Sequence, residues 1–269
     1  MNKNMKKTAY IKLFAGLGNQ LFQYAYGQYL LQQGYAVRYI LNRSSSDLLS
    51  VFTLTEQDGS TVFAPEGKFK NTFLFLIKCY ARFITHNYYT GFYQDAQYPA
   101  QLASFNLHFT RETEYSKTGE YKNIRSGTSV AVHIRGGDYV HEKQYSGICT
   151  AEYYRKAMEY INRTAGACRF FIFTNDTEYA RQVLQPIHRD ILQNAVFINN
   201  SNFKQDPGFD LFLMKSCTHH IIANSTFSWW GAFLNNNTDK IVIAPKKWTN
   251  NDDKGTINIC GDSWIRISS

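Results

Sequence analysis

The stretch Val130-Ala-Val-His133-Ile-Arg135-Gly136-Gly137-Asp138-Tyr139 changes character in its middle. Residues 129–134 read as a short apolar strand of the kind that is buried on both faces of a parallel sheet. The run then passes directly into an arginine, two glycines and an aspartate. Arg135 has the planar fork that grips phosphate oxygens bidentately. Gly136 and Gly137 let the backbone approach an anion and present its N–H groups to it. The same residues also suit a strand closed by a turn, with Arg135 and Asp138 as a local ion pair. The segment alone does not choose between these readings.

Outward from this strand, strand and helix patterns alternate. Strands are expected at 169–174, 195–198, 219–223 and 240–244, with helices at 151–163, 176–184, 210–217 and 227–235, the first N-capped by Thr150. Toward the N-terminus, a strand at 8–15 and a turn at 16–20 precede a helix at 21–32, and Gly34 separates that helix from a strand at 35–41. Residues 42–128 are less regular, with a helix expected at 72–83, an aromatic segment at 87–93 and a helix near 98–105. The fold class is α/β with doubly wound parallel sheets. The polar stretch 116–129, with Gly119 and Gly127, is the expected boundary between domains at 1–125 and 126–269.

In such folds ligands bind beyond the carboxyl ends of the strands. Three further segments stand there. Gly16-Leu-Gly18-Asn19-Gln20 opens a helix but lacks the third glycine of a dinucleotide fingerprint and the lysine of a P-loop. Its two amides, Asn19 and Gln20, can bond a sugar hydroxyl or a phosphate. Asn224-Ser225-Thr226-Phe227-Ser228 leads from a strand into a helix, and hydroxyls at a helix N-terminus suit an anion. Trp229 and Trp230 behind them read as packing. Asn175 and Asp176 follow a third strand and serve equally well as a helix cap.

Composition bounds the partners. The chain has 269 residues, 44% apolar and 19% charged, which describes a globular protein. A formal charge of +8 favours anionic partners. No basic block and no RNA- or DNA-binding signature is present, so nucleic acid is not expected. The five cysteines are scattered and odd in number, which argues for a reducing compartment. His219 and His220 fall on opposite faces of one strand and read as structural. No cluster has metal-ligand spacing, so no metal is expected. The N-terminus lacks a signal-peptide core, and no apolar run reaches the ~20 residues of a spanning helix. The expected location is the cytoplasm, where basic residues allow peripheral association with an anionic membrane.

Taken together, Gly16-Leu-Gly-Asn-Gln-Leu-Phe-Gln-Tyr-Ala25, His133-Ile-Arg-Gly-Gly-Asp-Tyr139, Phe173-Thr-Asn-Asp176 and Asn224-Ser-Thr-Phe-Ser-Trp-Trp-Gly231 resemble the bacterial α-1,2-fucosyltransferases of glycosyltransferase family eleven. The resemblance implies the GT-B arrangement of two facing Rossmann-like domains, with the nucleotide on the C-terminal one. It implies GDP-β-L-fucose as donor, inversion at the anomeric carbon, and neither metal nor cofactor. The acceptor it implies is the 2-hydroxyl of a terminal β-galactose, in an O-antigen unit or another lipid-linked glycan at the inner face of the bacterial inner membrane.

Roles follow residue by residue. Arg135 stabilises charge on the leaving phosphate, and His133, on the same strand face, contacts nucleotide or fucose. Asp138 is a candidate general base or a brace for Arg135. Ser225 and Thr226, beside Asn224, hold phosphate or ribose, and Asn175 or Asp176 holds the guanine–ribose end. Asn19 and Gln20 close over the fucose and pyrophosphate. One departure stands out: the family usually carries a second arginine where this chain has Gly136. Two alternatives stay open, a non-catalytic protein that binds sugar nucleotides or glycans, and a transferase using another GDP-sugar.

Overall fold

The computed structural model describes residues 7–41, 47–54, 59–63, 70–84, 87–102, 107–203, 206–251 and 259–269. They form two compact units, Met1–Thr110 and Arg111–Ser269.

The first unit runs β1 (Thr8–Lys12), α1 (Leu17–Gln32), β2 (Ala36–Leu41), α2 (Asp47–Val51), β3 (Phe52–Thr53), β4 (Ser60–Phe63) and α3 (Lys70–Cys79). A π-helical turn, Tyr80–Ile84, prolongs α3 and leads to β5 (Tyr88–Tyr89), α4 (Gln97–Ala100) and β6 (His108–Phe109). Four strands make a parallel sheet in the order β4-β2-β1-β5, and β3 pairs antiparallel with β6.

Three expectations change here. The strand expected at 8–15 stops at Lys12, because Ala15 turns the chain at a positive φ of 63°. Residues 17–20 are then the first turn of α1 and not a separate loop, with Gly16 as extended N-cap whose carbonyl accepts from the N–H groups of Asn19 and Gln20. The helix expected near 98–105 is the single turn α4, and residues 103–106 lie outside the described residues. The aromatic segment packs inward: Tyr93 stacks on Tyr26 with centroids 4.1 Å apart, and Tyr89 and Tyr98 meet Tyr26 edge-on.

The second unit begins with α5 (Glu112–Tyr115) and α6 (Gly119–Arg125), then β7 (Ser129–Ile134), α7 (Asp138–His141), α8 (Ala151–Ala165) and β8 (Arg169–Thr174). It continues with α9 (Thr177–Leu184), α10 (Arg189–Leu192), β9 (Ala195–Phe197), a 3-10 turn at Ser201–Phe203 and α11 (Pro207–Ser216). β10 (His219–Ile221), α12 (Thr226–Phe233), β11 (Val242–Pro245) and β12 (Ile265–Ile267) complete it. All strand pairs are parallel, in the order β12-β11-β10-β7-β8-β9. The chain winds outward from β7 to β9, then returns to the other flank of β7 with β10. The strand order therefore reverses between β7 and β10.

Side-chain alternation sorts this sheet's two faces. Val130, Val132 and Ile134 join Phe170, Ile172, Ile221 and Ile243 against Tyr153, Tyr154, Ala157, Met158 and Ile161 of α8. Each such buried side chain stabilises the fold by roughly 1.5–3 kcal/mol. Ala131 and His133 face the other way, where the His133 ring lies 6.0 Å from that of Phe227 in α12. That face also carries α11 and α12, so closely packed that a Cβ on Gly231 would sit 2.9 Å from Met214 Cβ.

The domain boundary lies earlier than the sequence suggests, at Thr110/Arg111 and not at 125/126. The polar stretch around 116–125 is the helix α6, capped by Thr118, which accepts from Tyr121 N–H. Ahead of it, Tyr115 donates to Asp206 at 2.6 Å and Arg111 pairs with the same carboxylate at 3.1 Å. The Tyr115 ring then packs on Phe209 and Phe212 of α11. Polar composition disguised a segment that is anchored through one buried hydroxyl and one ring. Among the described residues no helix is long and apolar enough to cross a membrane.

Candidate functional site

The reversal between β7 and β10 opens a crevice at the carboxyl edge of the second sheet, the place where open α/β sheets receive ligands. Arg135 stands at the end of β7, half-buried. Its Nη2 donates to Asp138 Oδ1 at 2.7 Å, and its guanidinium lies 4.9 Å above the ring of Tyr139. Tyr139 is itself stacked on Tyr145 at 4.4 Å. The ion pair and the ring hold the fork in one orientation, yet Nε is buried with no acceptor among the described residues. The side chain of Asp138 is 66% exposed, so it can exchange its arginine for solvent or a ligand.

His133 lies two residues earlier, on the same strand face. Burial, and secondarily the charge of Arg135, push its pKa down to about 3, so the imidazole is neutral at pH 7. Its Nδ1 is buried and unpartnered among the described residues. The turn after Arg135 is shaped by close approach. Gly136 N–H donates to Asn175 Oδ1 at 3.0 Å, and a Cβ on Gly136 would sit 2.7 Å from Asp176 Cβ. Gly137 adopts φ 65°, which glycine takes without strain.

The structure brings the predicted residues of this unit to one edge, but it spends several of them on the scaffold. Asn175 ties the β7–α7 turn to the β8–α9 turn. Asp176 caps α9 by accepting from Tyr179 N–H at 3.0 Å. Asn224 is buried, donates to Tyr145 O and Trp248 O, and accepts from the Cys149 thiol. Burial raises that thiol's pKa to about 12. Ser225 is buried at the N-cap position of α12 without making a side-chain capping bond, and Thr226 begins that helix. In the first unit, Gln20 donates to Ala15 O at 2.7 Å and accepts from Leu48 N–H at 3.0 Å, while Asn19 accepts from Gln94 at 2.8 Å. These two amides order the loops of their own unit. Trp229 and Trp230 are buried packing residues, as expected.

Several residues that matter here carry no motif. Tyr154 donates to His133 O at 2.8 Å, and Tyr153 to Ile222 O and Ile243 O at 2.6 and 3.2 Å. One turn of α8 thereby pins the ends of β7, β10 and β11. Asp210, in the first turn of α11, has its pKa raised to about 6 by burial and by the nearby Asp206 charge, against the lowering effect of Asn200. Asp210 Oδ1 and Asn200 Oδ1 are both buried without a donor among the described residues. Asp210 belongs to the first turn of α11, and Ser225 and Thr226 to the start of α12; the two helices pack side by side and both begin at the carboxyl edge of the sheet. An aspartate in a helix's first turn reads as a dipole partner, which is why composition and spacing pass over it. Beyond Asn224, a cavity of about 570 Å³ opens past β11 and β12, bordered by Lys246, Lys247, Trp248, Cys260 and Arg266. Among the described residues, no group of three His, Cys, Asp or Glu could hold a metal ion.

An orphaned guanidinium N–H, a neutral imidazole, glycine backbone and a hydroxyl-bearing helix N-terminus make a crevice for a polar, anionic ligand. The family described as "Glycosyl transferase family 11" matches residues 70–268. An Escherichia coli O-antigen biosynthesis glycosyltransferase, WbnK, is 36% identical over 154 residues, covering 55% of this chain and 48% of its own. The chain thus spans about half the length of that relative. An Escherichia coli alpha-1,2-colitosyltransferase is 28% identical over 95% of this chain and 97% of its own. Among solved structures, the fucosyltransferase NodZ from Bradyrhizobium superposes with a TM-score of 0.52 at 13% identity, over 86% of this chain and 93% of its own. That likeness places the fold with the GT-B-type glycosyltransferases. On the family match, which takes in most of the chain, this protein is a glycosyltransferase and belongs to glycosyltransferase family 11.

Proposed function

We propose that the chain transfers L-fucose from GDP-β-L-fucose, with inversion and without a metal ion, to the 2-hydroxyl of a terminal β-galactose in a glycan. The observation that carries this reading is the crevice between β7 and β10, where Arg135 Nε and His133 Nδ1 lack partners among the described residues and the His133 ring lies 6.0 Å from that of Phe227 at the start of α12. A departing nucleoside diphosphate gathers charge on its β-phosphate as the bond to the sugar breaks. Arg135, turning from Asp138 to the phosphate, offsets that charge, and the N–H groups of Gly136, Gly137 and the α12 terminus add to it.

The acceptor oxygen attacks the anomeric carbon from the face opposite GDP. The carbon–oxygen bond to the β-phosphate breaks, its electron pair leaves with GDP, and the acceptor proton passes to Asp138 once Arg135 has released it. His133, neutral at pH 7, serves as a hydrogen-bonding partner and is too weak a base to take that proton. Guanine as the base is supported by Asp210 Oδ1 and Asn200 Oδ1: two orphaned acceptors suit the adjacent N1–H and N2–H₂ donors of its edge.

A second reading rests on the relative named a colitosyltransferase, the match that covers nearly all of both chains. Colitose is the 3-deoxy form of L-fucose, so the two donors differ by one hydroxyl. The test offers GDP-fucose and GDP-colitose, each with β1,3- and β1,4-linked galactosides in EDTA, and follows GDP release and product linkage by NMR. The proposal expects an α-1,2 fucoside, formed faster than the colitoside. Preference for GDP-colitose establishes the second reading. Release with neither donor leaves a protein that binds sugar nucleotides without turnover.

A further inference from the structure

Five large hydrophobic side chains are prominently exposed among the described residues, and four of them lie on one short segment: Phe75 (62%), Leu76 (60%), Tyr80 (50%) and Phe83 (69%). They belong to α3 and its π-helical extension. At helical spacing, Phe75, Leu76, Cys79 and Tyr80 share one side of α3. The opposite side is accounted for, because Leu74 and Ile77 pack on Tyr10 and Ile40 of the sheet beneath. The helix is therefore apolar on two sides; among the described residues the outer one is met only at Tyr80, whose ring stands edge-on to that of Tyr10 at 6.2 Å and leaves Tyr80 half-exposed, while Phe75, Leu76 and Phe83 stay exposed. Contiguous exposed apolar surface of this kind marks an interaction site.

The charge around the ridge indicates what covers it. Lys78 and Arg82 are exposed and follow one edge of the outer face. Between Glu66 and Asp95 the chain has no acidic residue and four basic ones, Lys68, Lys70, Lys78 and Arg82. A second copy packed antiparallel on this face would bring that edge against itself and set lysine against arginine across a two-fold interface. An anionic surface would meet the cations and the apolar ridge at once. The exposed residues are mainly aromatic, the side chains that settle at the headgroup level of a bilayer, and the basic residues flank them as in helices that lie in the membrane interface.

We infer that the outer face of α3 and its π-turn is a membrane-docking surface: Phe75, Leu76, Tyr80 and Phe83 enter the headgroup region of an anionic bilayer while Lys78 and Arg82 bind lipid phosphates. The inference is independent of the donor and acceptor, since no residue of the crevice takes part.

Co-sedimentation of the full chain with vesicles tests it. Mixed phosphatidylethanolamine–phosphatidylglycerol vesicles are expected to capture the protein, and phosphatidylcholine vesicles are not. The double variant Phe75→Ser/Phe83→Ser is expected to bind the anionic vesicles about tenfold more weakly, or worse. Lys78→Gln/Arg82→Gln is expected to lose the preference for anionic lipid, as wild type does in high salt. Unchanged circular dichroism and unchanged transfer to a soluble acceptor show that the variants are intact. No capture of wild type at low salt, or equal capture of the Phe75→Ser/Phe83→Ser variant, overturns the proposal. So does a lipid-free wild-type dimer, seen by sedimentation velocity, that the same variant dissociates; that result assigns the face to a second copy.

Discussion

Arg135 and Gly136 are neighbours with opposite demands. Arg135 contributes a side chain, and its replacement by alanine removes the cation at the crevice without touching the core. We expect Arg135→Ala to lower the transfer rate by about 10²–10³-fold, with unchanged circular dichroism; near wild-type turnover would refute the phosphate assignment. Gly136 contributes the absence of one. The family pattern suggests a missing cation there, but the packing explains the glycine differently, since Asp176 Cβ and Tyr179 Cδ1 stand 2.7 and 3.0 Å from where a Cβ would be. Supplying the second arginine as Gly136→Arg should therefore lower stability by about 1–3 kcal/mol and reduce transfer, read from urea midpoints and initial rates. A stable variant with faster turnover would show that the turn has room to give. This distinction was not legible in the sequence, where a substituted motif position records a change and not the shape that goes with it.

Elements were legible where hydrophobic period and punctuation agreed. The strand at 129–134 and the helix behind Thr150 are found as read, because an unbroken apolar run and an N-cap with helical spacing each signal locally. The start of α1 was misread because Gly16 and Gly18 look like a loop, whereas Gly16 is an N-cap and Gly18 lies inside the first turn. The joint between α5 and α11 was invisible, because Tyr115 and Asp206 are far apart in the chain. That joint is testable at its carboxylate. Asp206 caps α11 by accepting from Gly208 N–H at 2.8 Å and also takes the Tyr115 hydroxyl. Asp206→Ala removes a cap, worth about 1 kcal/mol, and leaves a phenol unpaired at about 1–3 kcal/mol. We expect a total loss of about 2–4 kcal/mol in urea unfolding, and a loss below ~0.5 kcal/mol, the range of ordinary surface changes, would assign the joint no structural weight.

For the whole molecule, the family could be read from four motifs, whereas the extent of each unit could not. The division at Thr110/Arg111 predicts how the chain can be cut. A fragment of residues 111–269 should give a cooperative thermal transition and a native-like spectrum. A fragment of residues 126–269 lacks α5 and α6, exposes the Phe209 and Phe212 side of α11, and should precipitate or melt without cooperativity. Equal behaviour of the two would return the boundary to 125/126. The reversal of strand order that opens the crevice also sets a schedule for synthesis. Val130 of β7 pairs with His219 of β10, about ninety positions later in the chain. At ribosomal speeds of ~5–20 residues per second, one edge of the central strand waits roughly 4–18 s for its partner. Through that interval the nascent chain offers an apolar, unpaired parallel edge, the kind of surface that recruits chaperones or neighbouring chains. The crevice thus has a cost incurred before the protein is complete: its two walls are made seconds apart, and slower or cooler expression should favour their meeting over aggregation.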